Sequence, residues 1–207
     1  MQLRSLCRVA IAALPLSLIA APASAHHLMG GKIPSTFGEG LLSGLGHPVI
    51  GADHLAFLVA VGVIVGVSRL SLTLPILFVV TMAVGVFTHV SAVSIPASEF
   101  LVALSVLAVG LLMARGQAYS AWVWSGLFAV AGFCHGYAFG ESIFGAERSP
   151  LGAYLLGLVV VQSALTFGIA LLTRRVQASS LLPRLIGAGI GGIGIAALLA
   201  LAVPVPA

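Results

Sequence analysis

Gly46-His47-Pro48-Val49-Ile50-Gly51-Ala52-Asp53-His54, continuing as an uncharged apolar run to Val67, is the stretch on which the fold turns. The run from Val49 to Val67 is long enough to cross a bilayer as a helix. Two imidazoles and a carboxylate stand at its mouth. Ionisable groups at a membrane boundary are costly unless they pair, meet water or bind something. The rest of the chain decides which of these applies.

Composition sets the solvent. The 207 residues are 60% hydrophobic and 7% charged, with a mean hydropathy of +1.19, which fits an integral membrane protein and no soluble domain. The formal charge of +4 comes from arginines scattered between apolar runs, so the chain has no nucleic-acid footprint. No phosphate loop or dinucleotide fingerprint is present. ATP-driven work, redox chemistry and a prosthetic cofactor are therefore not expected.

On the N-terminal side, residues 1–25 read as a cleaved secretory signal. Arg4 and Arg8 start it, Val9 to Ala20 is its apolar stretch, and Ala23-Ser24-Ala25 is a small-x-small cleavage site. Residues 26–48 read as an extracytoplasmic lead-in rich in Gly, Ser and Pro, with Gly38 to Leu45 as a short interfacial helix. Cleavage would expose His26 and His27, which read equally well as a metal handle or as terminal residues without a role. Cys7 leaves with the signal, and Cys134 then reads as a small buried hydrophobe.

On the C-terminal side, six apolar spans are expected near residues 49–67, 72–92, 97–114, 120–140, 151–173 and 184–203. The fold class is all-α, a polytopic membrane helix bundle filling residues 49–203. Counted from an extracytoplasmic N-terminus, Arg69, Arg115, Arg174, Arg175 and Arg184 all fall on the cytoplasmic side. Only Lys32 and Arg148 stay outside. That satisfies the positive-inside rule and places the protein as a multi-pass chain in a bacterial inner membrane. The lipid bilayer is its first partner, and a homo-oligomer is compatible with a bundle of this kind. Trp122 and Trp124 are expected as aromatic anchors at the cytoplasmic boundary.

The same topology gathers the ionisable residues at one depth. His47, Asp53 and His54 lie at the outer end of the first span, and His89 near that of the second. Glu99 opens the third, and His135 and Glu141 end the fourth. Taken singly, each reads as an interfacial residue with a hydrogen-bond partner, and Glu99 as a stabiliser of its helix start. Together, His47, Asp53, His54, Glu99, His135 and Glu141 form a candidate metal set. Imidazole and carboxylate suit divalent nickel, cobalt, zinc or manganese. His47 and His54 are seven residues apart, so a continuous helix would place both on one face, with Gly51 leaving room between them. Asp53 would ligate directly or hold a histidine from another helix. The stripes Thr81/Gly85/His89 and Gln162/Thr166, and the pairs Gly62/Gly66 and Gly187/Gly191, read as helix-packing features.

Gly46-His47-Pro48-x-x-Gly51-x-Asp53-His54-Leu55 followed by Val59-Ala60-Val61-Gly62 resembles the signature of the HupE/UreJ family. Pro96-x-x-Glu99 and His135-Gly136-Tyr137-Ala138-x-Gly140-Glu141 add to the likeness, which spans nearly the whole mature chain. The resemblance implies a nickel permease, or one for cobalt, that supplies hydrogenase or urease maturation as an accessory protein and not as an enzyme. One departure stands out: many members carry a second histidine after His135, where this chain has Phe139. The rival reading is an intramembrane zinc-dependent hydrolase, since histidines and a carboxylate around zinc with an open water position serve that chemistry too.

Overall fold

The structure, a computed structural model, describes residues 32–178 and 180–203. The expected signal and His26 and His27 lie outside them. Seven helices make up the described chain: α1 (Phe37–Ile50), α2 (Ala52–Val67), α3 (Thr73–Val90), α4 (Ser98–Arg115), α5 (Ala121–Glu141), α6 (Arg148–Thr173) and α7 (Leu181–Ala202). Four of them, α3, α4, α6 and α7, are long and apolar enough to cross a membrane singly, and α1 with α2 makes a fifth, bent span. The chain is thus a polytopic helical membrane protein. Six spans were expected. The sixth corresponds to α5, whose 21 residues suffice in length, but His135, Tyr137 and two tryptophans leave it less apolar than the others.

The first span departs most from expectation. It is two helices, α1 and α2, meeting at Gly51 with a bend of 77°. Pro48 sits inside the last turn of α1 instead of opening a helix, and its missing N–H weakens the ladder there. Gly51 then turns to an extended conformation with φ −70° and ψ 108°, ending α1 and starting α2. The boundary drawn at residue 48 therefore falls inside α1. At its other end, α1 opens with a capping box. Thr36 Oγ1 accepts the Glu39 N–H at 3.2 Å, and Glu39 Oε2 accepts the Thr36 N–H at 3.2 Å.

Helix α2 is the axis of the bundle. It packs against α1, α3, α4, α6 and α7, and every residue from Ala60 to Val67 is buried. A helix apolar all round is one enclosed on all sides. The outer helices instead present apolar residues outward, such as Ile76, Val80, Val84 and Phe87 on α3, as a lipid-facing surface requires.

Close backbone approach at glycines sets the helix directions. Gly62 lies against Thr166 and Ile169, and Gly66 against Ala170 and Thr173, so α2 and α6 run parallel. Gly132 lies against Phe78 and Thr81, and Gly136 against Met82, so α3 and α5 run parallel. Gly187 meets Met113, Gly191 meets Gly110 and Gly194 meets Leu107, so α4 and α7 run antiparallel. The small residues do serve packing, as their spacing suggested. Arg184 Nε donates to the Ala114 carbonyl at 3.3 Å, which brings the end of α4 and the start of α7 together. Trp122 is 86% exposed, as an anchor would be. Trp124 is not an anchor; it is buried, with its ring against Tyr119 and Phe128.

Candidate functional site

Three helices bring the histidines together. The bend at Gly51 folds the end of α1 over the start of α2, so the His47 and His54 ring centroids lie 6.0 Å apart although no continuous helix joins them. A Cβ on residue 51 would stand 2.7 Å from His54 Cδ2. The glycine thus makes room for the His54 ring itself. Helix α5 delivers the third imidazole: His135 Nδ1 lies 2.8 Å from His54 Nδ1. All three rings are buried, His135 to 1% exposure.

Proton counting constrains this pair. Two ring nitrogens at hydrogen-bond distance need one proton between them, so His54 and His135 cannot both be imidazolium in this arrangement. His135 Nε2 lies 2.9 Å from Ser105 Oγ on α4, and Ser105 donates to the Val102 carbonyl at 2.7 Å. With the serine proton spent there, His135 Nε2–H donates to Ser105, and His54 Nδ1–H donates to His135 Nδ1. That assignment follows from the network and makes His54 Nε2 the lone-pair nitrogen.

His47 is held similarly. Tyr154 on α6 gives its hydroxyl proton to the Phe139 carbonyl at 3.0 Å, so its oxygen accepts from His47 Nδ1 at 3.2 Å. Ser142 Oγ is 3.0 Å from the same nitrogen. The His47 lone pair then sits on Nε2. Asp53 is half-buried in the first turn of α2, and its Oδ1 accepts the His54 backbone N–H at 2.8 Å, a place the helix dipole favours.

Phe139 fills the centre. Its ring centroid is 4.3 Å from that of His54 and 5.1 Å from that of His47. Phe139 is therefore in contact with both imidazoles. Phe57 closes the other side, 4.7 Å from His135.

The carboxylates of Glu99 and Glu141 stay outside. Both are exposed. Glu99 precedes Ser105 by six residues, and Glu141 follows His135 by six; in a helix that is about 240° of rotation, onto another face. His89 is apart too, its ring tilted against that of Tyr137 with centroids 4.6 Å apart. Among the described residues, no three His, Cys, Asp or Glu side chains are placed to hold one metal ion. The cluster is an imidazole pair with a third imidazole beside it and a carboxylate at the helix start.

Ser105, Ser142 and Tyr154 were not foreseen. The first two carry no signal beyond polarity in apolar surroundings. Tyr154 did carry one: it lies two four-residue steps before Gln162 and so extends the Gln162/Thr166 stripe.

No solved structure matches the chain. Among curated proteins, it is 28% identical over 188 residues to "Protein HupE" of Rhizobium leguminosarum bv. viciae, covering 88% of this chain and 94% of that protein. The family model described as HupE / UreJ protein matches residues 14–197. That match takes in every helix described above up to most of α7, including the whole histidine cluster, and the chain belongs to the HupE / UreJ family.

Proposed function

We propose that this protein is an inner-membrane permease for a divalent metal, nickel first and cobalt second, serving hydrogenase or urease assembly. It acts as an accessory protein and not as an enzyme. One observation carries the reading: the Nδ1–Nδ1 contact of His54 and His135 at 2.8 Å, buried where α2, α4 and α5 meet. Bonds of about 2.1 Å to nitrogen hold neighbouring ligands about 3.0 Å apart in an octahedron and about 3.4 Å in a tetrahedron. A cation can thus bridge the pair once the two rings turn so that both Nδ1 lone pairs face it. Both imidazoles are neutral, so the His54 proton passes from Nδ1 to Nε2 and no net proton is released.

His47 and Asp53 supply the next nitrogen and an oxygen at the mouth of α2. Glu99 and Glu141, exposed on the same side of the bundle, attract the ion before it enters. The set is mixed and open, which suits an ion that must leave again better than a closed thiolate cage would. The N-terminal end of α2 faces the extracytoplasmic side, and the helix ends near Arg69, Arg115, Arg174, Arg175 and Arg184 face the cytoplasm, by the positive-inside rule.

The test is radioactive nickel uptake into cells expressing wild type, His47→Ala or Asp53→Ala, at micromolar nickel with excess magnesium. The expected result is uptake by the wild type alone, with equal protein in the membrane. Normal uptake by both variants sinks the reading.

A further inference from the structure

Gln162 has no hydrogen-bond partner. It lies on α6, its exposure is 0%, and both the oxygen and the nitrogen of its amide are unpaired. An unpaired amide is costly in any protein interior and more so inside a bilayer. It belongs to a stripe of Tyr154, Leu158, Gln162, Thr166 and Ala170, spaced by four and all at 0% exposure. Thr166 adds a second oxygen. Its hydroxyl proton goes to the Gln162 backbone carbonyl at 2.7 Å, leaving Oγ1 to accept.

Helix α2 offers nothing to pair with. Helix α6 packs on α1, α2 and α3, and the parallel register that sets Gly62 beside Thr166 places Leu58 beside Gln162 one turn earlier. From Leu55 to Val67, α2 has no polar side chain. The same register puts His54 one further turn back, about 5.4 Å along the axis. Gln162 is thus one helical turn inward of the histidine pair, on the stripe whose outer end, Tyr154, holds His47.

We propose that Gln162, with Thr166, is an inner oxygen station that takes the partly hydrated divalent cation from the histidines. This rests on the permease reading. An amide carbonyl is a neutral oxygen ligand, weaker toward nickel or cobalt than imidazole. It stabilises the ion, or the water it carries, without trapping it.

The experiment compares wild type, Gln162→Leu and Gln162→Glu, the last keeping a carbonyl oxygen at the same reach. Three quantities are read: initial nickel uptake into cells, nickel binding to purified protein in detergent, and thermal unfolding. Gln162→Leu should take up nickel about tenfold more slowly, the scale of one lost hydrogen-bond-strength contact, with nickel binding within about twofold of wild type. Its unfolding temperature should hold or rise, because an unpaired buried amide is gone. Gln162→Glu should keep most of the uptake. Wild-type uptake rates in Gln162→Leu overturn the proposal and leave the permease reading standing. Lost uptake together with a lowered unfolding temperature also overturns it, because the amide is then a structural partner. Absence of uptake in the wild type overturns both.

Discussion

His54 and His135, separated by 81 residues, meet Nδ1 to Nδ1 at 2.8 Å. One proton between two nitrogens makes them a single functional unit, so their contributions should not add. His54→Ala and His135→Ala should each cut nickel uptake at least about tenfold, and the double variant should be little worse than either, as expected for residues that act together. Uptake rates normalised to membrane protein check this. Losses that multiply in the double variant would show two independent sites.

Gly51→Ala should disturb the site without touching a histidine. The added methyl would stand 2.7 Å from His54 Cδ2 and 3.3 Å from Asp53 Oδ1, so the His54 ring must move. Overpacking of this kind costs about 1–3 kcal/mol. Uptake should drop severalfold and the unfolding temperature by a few degrees. Unchanged uptake would place the ion path elsewhere.

Phe139→His should add an imidazole between His47 and His54, where the ring centroid already lies within 5.1 Å of both. Nickel should bind the purified protein more tightly, by about tenfold for one added ligand, and leave more slowly. Calorimetry gives the affinity, and uptake at saturating nickel gives the rate. Unaltered affinity would mean that Phe139 does not border the metal.

Tyr154→Phe removes the hydroxyl that joins His47 to the Phe139 carbonyl. Leaving buried partners unsatisfied costs about 1–3 kcal/mol. The protein should lose stability by that order and lose part of its uptake, with His47 less well held. Thermal unfolding and uptake measured on one preparation separate the two effects.

Gly136→Leu tests the packing instead of the site. A side chain there runs into the Met82 backbone of α3, which cannot yield as a flexible side chain would. The α3–α5 pair should come apart, and the protein should disappear from the membrane fraction. Normal levels would contradict the close approach of these helices.

Much of this could be read from residue order. The apolar runs gave the helices within a few residues, and the alternation of arginines and histidines between helix ends gave their directions. Other features depend on tertiary contacts. Pro48 fits the first turn of a helix as well as the last, and only the packing of α1 along α6 decides for the last. Gly38 to Leu45 read as a short helix; the structure extends it to Phe37–Ile50, and the capping box of Thr36 and Glu39 that opens it went unread. The convergence of His47, His54 and His135 was expected from their common depth. The exclusion of Glu99 and Glu141 follows from rotation about a helix axis, which depth alone does not reveal. Ser105 was invisible because one serine in an apolar span commonly bonds its own backbone, as this one also does.

The enclosure of α2 bears on how the molecule is made. A chain inserted from its N-terminus commits α2 to the bilayer before α3 to α7 exist to surround it. During synthesis lipid is its solvent, and in the finished protein other helices are. Its sequence must satisfy both in turn, and an unbroken apolar surface beyond His54 does so. The buried polar groups His135, Gln162 and Thr166, which lie along its course, arrive later on α5 and α6. The most hydrophobic helix can therefore be threaded first, and the polar chemistry is assembled around it only once the lipid has been displaced.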